Sequence, residues 1–159
     1  MRILFFLLVC QIAFGQKTID EVVKKYNKEA VPYIQIKDYK ALKNPIIFDT
    51  REQAEFDVSH LKSSFCVGFD HFKIEDIKKK FTNKNDTIVV YCSLSVRSEI
   101  IGLKLKKAGY KNVYNLYGGI FHWKNNDGLI FDKLGKITEK IHAYSKEWGK
   151  YLTKGQKVY

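Results

Sequence analysis

Cys92 opens the run Cys92-Ser93-Leu94-Ser95-Val96-Arg97-Ser98, set between the apolar stretch Thr87 to Tyr91 and a helical pattern from Ser98 to Ala108. A thiol there is placed to be a nucleophile. The residues before it read as a short buried strand, and those after it as a helix whose unpaired amide N–H groups and positive dipole end face the loop. Such an end favours anions, and Arg97 adds a full positive charge. Thiols so placed have pKa values lowered to roughly 3.5–7.5, so Cys92 is expected to be largely ionised near neutrality. The opposing reading is packing, because free cysteine is among the most buried residue types and a cysteine closing a strand can be inert.

Other residues offer less specific chemistry. Asp49 and Arg51 close an apolar strand and could contact a substrate, but a structural ion pair that fixes a loop is the simpler role. His60, His71, His122 and His142 lack metal-ligand spacing, so packing or surface positions are expected and no metal site is assigned. Cys66 lies in Ser64-Phe65-Cys66-Val67-Gly68, a short extended piece, and is expected to be buried rather than bridged to Cys92; a role as a resolving thiol is the alternative. Trp123 and Trp148 read as core or lid aromatics.

The elements that must position these residues alternate. A helix over Thr18 to Tyr26 is followed by a strand at Tyr33 to Ile36 and a helical turn from Asp38. Pro45 to Phe48 is a compact strand and Glu52 to Val58 helical; Phe65 to Phe69 is extended. Ile74, Ile77 and Phe81 at helical spacing give an amphipathic helix with Lys78 to Lys80 on its wet side. Thr87 to Tyr91, apolar at nearly every position, suits a central strand covered on both faces of a parallel sheet. The next helix carries Ile101, Leu105 and Ala108 on one stripe and ends at Gly109. Val113 to Leu116 is a further strand, and Gly118-Gly119 turns the chain into a helical piece holding Trp123. Strands alternating with helices imply an α/β sheet with right-handed crossovers. From Leu129 the pattern changes to a hairpin, Leu129 to Phe131 against Ile137 to His142, and a last helix over Ala143 to Leu152 carrying Trp148.

The 159 residues, 45% hydrophobic and 28% charged, suit one globular domain with terminal additions. Met1 to Gly15 gives one positive charge, an apolar run and then Ala13-Phe14-Gly15 as a small-x-small cleavage site, which reads as a secretory signal peptide. The expectation is an exported protein, periplasmic or secreted, starting at Gln16 and without stable membrane insertion. A lipoprotein tethered through Cys10 is the alternative. The net charge of +11 steers anions. Its lysines are scattered without aromatic-basic interleaving, so no nucleic-acid partner is expected.

Three stretches together resemble the rhodanese family of sulfurtransferases, over about Ile34 to Trp123. Phe48-Asp49-Thr50-Arg51-Glu52-Gln53-Ala54-Glu55-Phe56 resembles the family's Asp-x-Arg, acidic and Glu-Phe/Tyr signature; Cys92 to Arg97 resembles its six-residue active-site loop; Leu116-Tyr117-Gly118-Gly119 with Trp123 resembles its Gly-Gly and Trp segment. The resemblance implies a three-layer α/β/α domain with a five-stranded parallel sheet, here over residues 16–128, with the hairpin and helix of 129–159 as an appendage packed on it. It implies that Cys92 takes sulfur from a donor and holds it as a persulfide, in a cradle formed by Ser93, Leu94, Ser95, Val96 and Arg97. Backbone N–H groups of such a loop can stabilise the anionic terminal sulfur, and the Ser93 and Ser95 hydroxyls could donate to it or orient the loop. Asp49, Arg51, Gly118 and Gly119 are the expected loop supports. The chain departs from the pattern at Ser59 and Ser63, where the family usually has glycine, and at Ser95, where many active members do; a Cβ resists left-handed backbone angles.

The expected activity is therefore transfer of sulfane sulfur from a small anionic donor such as thiosulfate, through Cys92, to cyanide or a thiol, without a cofactor. A phosphatase use of the same fold is the second reading, but its loop has five residues between Cys and Arg, and Ser93 to Val96 makes four. A catalytically weak binding or sulfur-carrier module, docked to an envelope protein, is the third.

Overall fold

A computed structural model describes residues 18–159; the leader expected at 1–15, with Cys10, lies outside the described residues. Helix α1 (Ile19–Tyr26) begins at Thr18, whose hydroxyl accepts from the Glu21 N–H at 3.2 Å while the Glu21 carboxylate accepts from the Thr18 N–H, so two otherwise orphaned amides are paired. In chain order follow β1 (Tyr33–Ile34), α2 (Ile36–Ala41), β2 (Ile46–Asp49), α3 (Gln53–Val58), β3 (Phe65–Cys66), α4 (Ile74–Lys80), β4 (Thr87–Tyr91), α5 (Val96–Lys107), β5 (Asn112–Leu116) and α6 (Gly119–Asn125).

The first five strands form one parallel sheet in the order β1-β5-β4-β2-β3, with β4 at its centre as its continuous apolar run requires. Side chains alternate along it. Val89 and Tyr91 enter a core shared with Val22 of α1 and Ile120 and Phe121 of α6, while Ile88 and Val90 enter a second core with Ile77 of α4 and Ile101 and Leu105 of α5. The three-layer α/β/α arrangement with five parallel strands is the one the resemblance implied. Cys92 follows the last residue of β4, so it lies at the carboxyl end of the central strand, the edge where open parallel sheets hold ligands.

Local boundaries differ from the periodicity. The first strand stops at Ile34 because Ile36 already starts α2, the third extended piece is paired only at Phe65–Cys66, and α5 starts two residues before Ser98.

The C-terminal segment is more altered. Strands β6 (Ile130–Phe131) and β7 (Ile137–Thr138) form the expected antiparallel hairpin, its turn held by Asp132 Oδ1 accepting from the Leu134 and Lys136 amides at 2.9 Å. The strand does not run on to His142. Strand β8 (Lys140–His142) instead pairs in parallel with β9 (Gln156–Val158), a strand absent from the sequence reading. The helix expected over Ala143 to Leu152 is one turn, α7 (Lys146–Gly149), capped by the Ser145 hydroxyl. Tyr144, with φ 65, breaks the chain before it. The segment is joined to the domain by a bridge in which the His60 N–H donates to Phe131 O at 2.8 Å and the Phe131 N–H returns to His60 O at 2.9 Å. Ile130, Ile141, Ala143 and Leu152 complete the core beside α6. None of the described helices is long and apolar enough to cross a membrane.

Candidate active site

Cys92 is a free thiol, 2% exposed. The Ser98 hydroxyl lies 3.6 Å from its sulfur and 2.8 Å from Asn115 Oδ1. One proton serves both contacts: donated to Asn115, it leaves a hydroxyl lone pair facing a thiol S–H, and turned to Cys92 it stabilises a thiolate. Asn115 Nδ2 donates to Ser95 O at 2.9 Å, and Asn27 Nδ2 reaches the same carbonyl at 2.9 Å, so two amides from distant segments hold the loop's midpoint. Ser98, Asn115 and Asn27 were not among the residues singled out from sequence, and no local pattern marks them.

Ser95 adopts φ 68, ψ 3, the left-handed conformation that glycine takes without cost. It is fully buried, and its hydroxyl donates to Leu116 O at 2.7 Å. The side chain therefore anchors the loop to the end of β5, which is the loop-orienting one of the two roles open to it. Ser63 likewise keeps a left-handed φ of 60, so the backbone survives the loss of glycine there. No acceptor among the described residues takes the backbone N–H groups of Ser93 to Arg97. Donors left unpaired in a loop that closes on a thiol suit an anion.

Arg97 is held from across the sheet edge. Its Nη1 lies 2.7 Å from Glu55 Oε2 and its Nη2 2.8 Å from Glu55 Oε1, and Nη2 also donates to the Ser93 hydroxyl at 3.2 Å. Ser93 in turn donates to Glu55 at 3.4 Å, so both its contacts orient the loop. Burial works against the charges, yet the hydrogen bond and charge of Arg97, with Arg51 farther off, hold the Glu55 carboxyl below its usual range. Burial likewise opposes the Arg97 charge, while Glu55 and the neighbouring Cys92 hold it above its ordinary value. Glu55 was read only as part of a signature; its role depends on α3 meeting α5.

The remaining predicted supports divide. Gly119, with φ 59, brings α6 against the loop: its neighbours Ile120 and Phe121 donate to Cys92 O at 2.9 Å and Ser93 O at 3.2 Å. A Cβ at Gly119 would collide with the Cys92 carbonyl oxygen and lie 2.7 Å from Ser93 O. Gly118, φ 66, makes the preceding turn, where a Cβ would lie 2.5 Å from His122 Cβ. Asp49 and Arg51 form an ion pair, both fully buried, with Nη2 2.6 Å from Asp49 Oδ2 and 2.6 Å from Ser59 O. They tie β2 to the chain after α3 and do not line the cavity at Cys92. Cys66, half-buried, sits 3.6 Å from Arg51 O, and burial and Asp49 push its thiol up to about 11. Trp123 donates to Leu129 O at 2.9 Å and packs edge-on to Tyr39, in support of the hairpin.

Above Cys92 opens a cavity of about 260 Å³. Cys92, Ser93 and Arg97 form its polar part, and Tyr26, Leu94, Val96, Tyr144 and Trp148 form its walls. Tyr26 and Trp148 meet edge to face at 5.7 Å, joining α1 to α7 across one side. The Tyr144 ring lies 5.1 Å from the Arg97 guanidinium carbon. Of the two tryptophans, Trp148 is the one at the site. The appendage thus supplies part of the wall as well as packing on the core.

Known proteins share this fold. The family described as "Rhodanese-like domain" matches residues 34–126. Among curated relatives, a tRNA uridine(34) hydroxylase of Protochlamydia amoebophila is 31% identical over 91 residues, covering 54% of this chain and 28% of the relative. Another from Buchnera aphidicola is 28% identical over 130 residues, covering 77% of this chain and 41% of the relative. The chain thus spans well under half the length of these relatives. Among solved structures, a thiosulfate sulfurtransferase from Pseudomonas aeruginosa superposes with a TM-score of 0.59 at 20% identity, over 77% of this chain and 23% of that one. A rhodanese-like domain protein from Staphylococcus aureus gives 0.52 at 25% identity, over 58% of this chain and 91% of that one.

Proposed function

The chain belongs to the rhodanese-like domain family, and from that premise we propose that it is a sulfurtransferase that carries sulfane sulfur on Cys92. The observation that carries this reading is the loop itself: a buried cysteine at the end of the central strand, followed by five backbone N–H groups with no acceptor among the described residues. With thiosulfate as donor, the Cys92 thiolate attacks the sulfane sulfur, the S–S bond of thiosulfate breaks, and sulfite leaves with the electron pair. The product is a Cys92 persulfide anion, and charge is conserved. A nucleophilic acceptor, cyanide or a thiolate, then attacks the terminal sulfur and frees the Cys92 thiolate. Such a double displacement gives ping-pong kinetics.

In this scheme the loop amides stabilise the terminal sulfur, which is anionic, and Ser98 donates to the thiolate. Arg97, Glu55 and Ser93 keep the loop curled. Four residues between Cys92 and Arg97 favour sulfur over the larger tetrahedral phosphoryl group. The scattered lysines and the apolar cavity walls give no reason to assign a nucleic-acid substrate, and the domain needs no metal or other cofactor for this chemistry. We further propose that it acts outside the cytoplasm, on the strength of the apolar run and cleavage site before Gln16. Mass spectrometry of the mature N-terminus checks that placement.

Incubation with thiosulfate is expected to make Cys92 one sulfur atom heavier by mass, and subsequent cyanide to release thiocyanate and restore the original mass. Neither event should occur in Cys92→Ala. Absence of the adduct with thiosulfate and with other sulfane donors would overturn the proposal. Stable capture of an envelope protein without turnover would favour a binding module instead.

A further inference from the structure

The aromatic walls of the cavity come from outside the family domain. Tyr26 precedes the matched span of 34–126, and Tyr144 and Trp148 follow it. The shared fold therefore supplies the nucleophile and its loop, and this chain's own terminal segments build the space above them. That space is apolar. Tyr26, Leu94, Val96, Tyr144 and Trp148 line it, no lysine does, and its one cation, Arg97, is engaged at two points by Glu55.

Charge distribution decides what such a cavity prefers. The +11 of the whole chain draws anions to the surface, but a dianion lying against Leu94, Val96 and the aromatic rings would give up part of its water shell and find the guanidinium already paired with Glu55, so that only the loop amides beside Cys92, which serve the reacting sulfur, are left to receive charge. An uncharged organic group loses little on the same path. The volume is adequate: about 260 Å³, where an apolar cavity of about 150 Å³ accepts benzene. From these walls, and resting on the sulfurtransferase reading, we infer that the preferred partner of Cys92 is an organic thiol or its persulfide bearing an uncharged apolar body about the size of an aromatic ring. The body lies between Tyr26, Tyr144 and Trp148, and its sulfur reaches Cys92.

As donor, an organic persulfide RS–SH is attacked by the Cys92 thiolate at its terminal sulfur; the RS–S bond breaks, RS⁻ leaves, and Cys92–S–SH forms. As acceptor, a thiolate RS⁻ attacks that terminal sulfur, giving RS–SH and the Cys92 thiolate. Both steps conserve charge and require no external oxidant or reductant.

The test loads Cys92 with polysulfide or excess thiosulfate, then compares benzyl mercaptan with mercaptoethanesulfonate as acceptors by kcat/KM. The expected result is a preference for benzyl mercaptan of about tenfold or more, a size typical of apolar pocket discrimination. Trp148→Ala should erode it about tenfold through KM. Tyr144→Gly, which removes a wall while suiting a φ of 65, should do so in a chain that still folds. Equal use of the two thiols, preference for the sulfonate, or a preference untouched by both variants would overturn the inference while leaving the Cys92 persulfide in place. Failure of every donor to load Cys92 overturns the sulfurtransferase reading itself, and this inference with it.

Discussion

Glu55 and Arg97, 42 residues apart, meet in a two-point ion pair with contacts of 2.7 and 2.8 Å that closes the Cys92 loop from the side of α3. Both side chains are largely withdrawn from water, with 5% and 18% of their surfaces exposed. Each is also bound to Ser93, so the pair and the first residue after Cys92 form one network. An arginine held in this way is a structural part of the loop. Its pairing explains how a basic side chain can border a cavity whose other walls favour apolar groups.

Replacing Glu55 by Gln should destabilise the protein by about 1–3 kcal/mol near neutral pH, because a charge-assisted buried pair is lost and Arg97 is left without its counter-charge. The native carboxyl titrates below its unfolded value of roughly 4.3, so its contribution is complete above that pH and fades as pH falls through the native value. Urea denaturation of wild type and Glu55→Gln across acid pH checks this. The gap between them should narrow toward the acid end.

Ser95 sets two effects of similar size against one another. Its left-handed backbone costs about 1 kcal/mol relative to glycine, and its 2.7 Å hydrogen bond to Leu116 O returns about as much. Ser95→Ala keeps the strain and loses the bond, and is expected to lower stability by about 1–2 kcal/mol. Ser95→Gly loses the bond and relieves the strain, and should stay within about 0.5–1 kcal/mol of wild type. Denaturation midpoints of the two variants distinguish these outcomes.

Gly119→Ala places a methyl group against the carbonyls of Cys92 and Ser93 at a positive φ. Backbone has little room to yield there, so a loss of about 3 kcal/mol is expected, with the persulfide yield falling in the fraction that remains folded. Thermal unfolding and mass analysis after thiosulfate treatment measure the two effects.

Cys66 should be a slow nucleophile. With its thiol pushed up to about 11 by burial and by Asp49, only about one molecule in a thousand is ionised near pH 8. In Cys92→Ser, alkylation by iodoacetamide is expected to be slow near neutrality and to climb steadily as pH approaches the thiol's own range. Rapid alkylation at neutral pH would place Cys66 in a different environment from the one described.

Much of this architecture follows from near neighbours in the chain. The strand at Thr87 to Tyr91 needed only its unbroken apolar run, and the helix after the loop needed Ile101 and Leu105 on one stripe ended by Gly109. The length of the Cys92 to Arg97 loop, on which the proposed choice of sulfur over phosphate rests, is a matter of counting residues. Gly118-Gly119 is legible as a turn, and its role as a loop support is what the family resemblance implies.

Tertiary structure decided everything that depends on contacts between distant segments. Periodicity places Arg97 just before a helix, but only the fold brings Glu55 of α3 to it. Ser95 and Ser93 were small polar residues of either possible use until β5 presented Leu116 O to one and the Glu55–Arg97 pair claimed the other. The pattern over Ala143 to Leu152 satisfies a helix locally; Ala143 N–H instead donates to Val158 O, and the chain gives up helix for pairing with its own end. That exchange sets Tyr144 and Trp148 opposite Tyr26 and creates the cavity over Cys92. Cys92 and its loop were thus written in one short run of sequence, whereas the walls of the cavity above it arise from residues more than a hundred positions apart, whose proximity is a property of the fold alone.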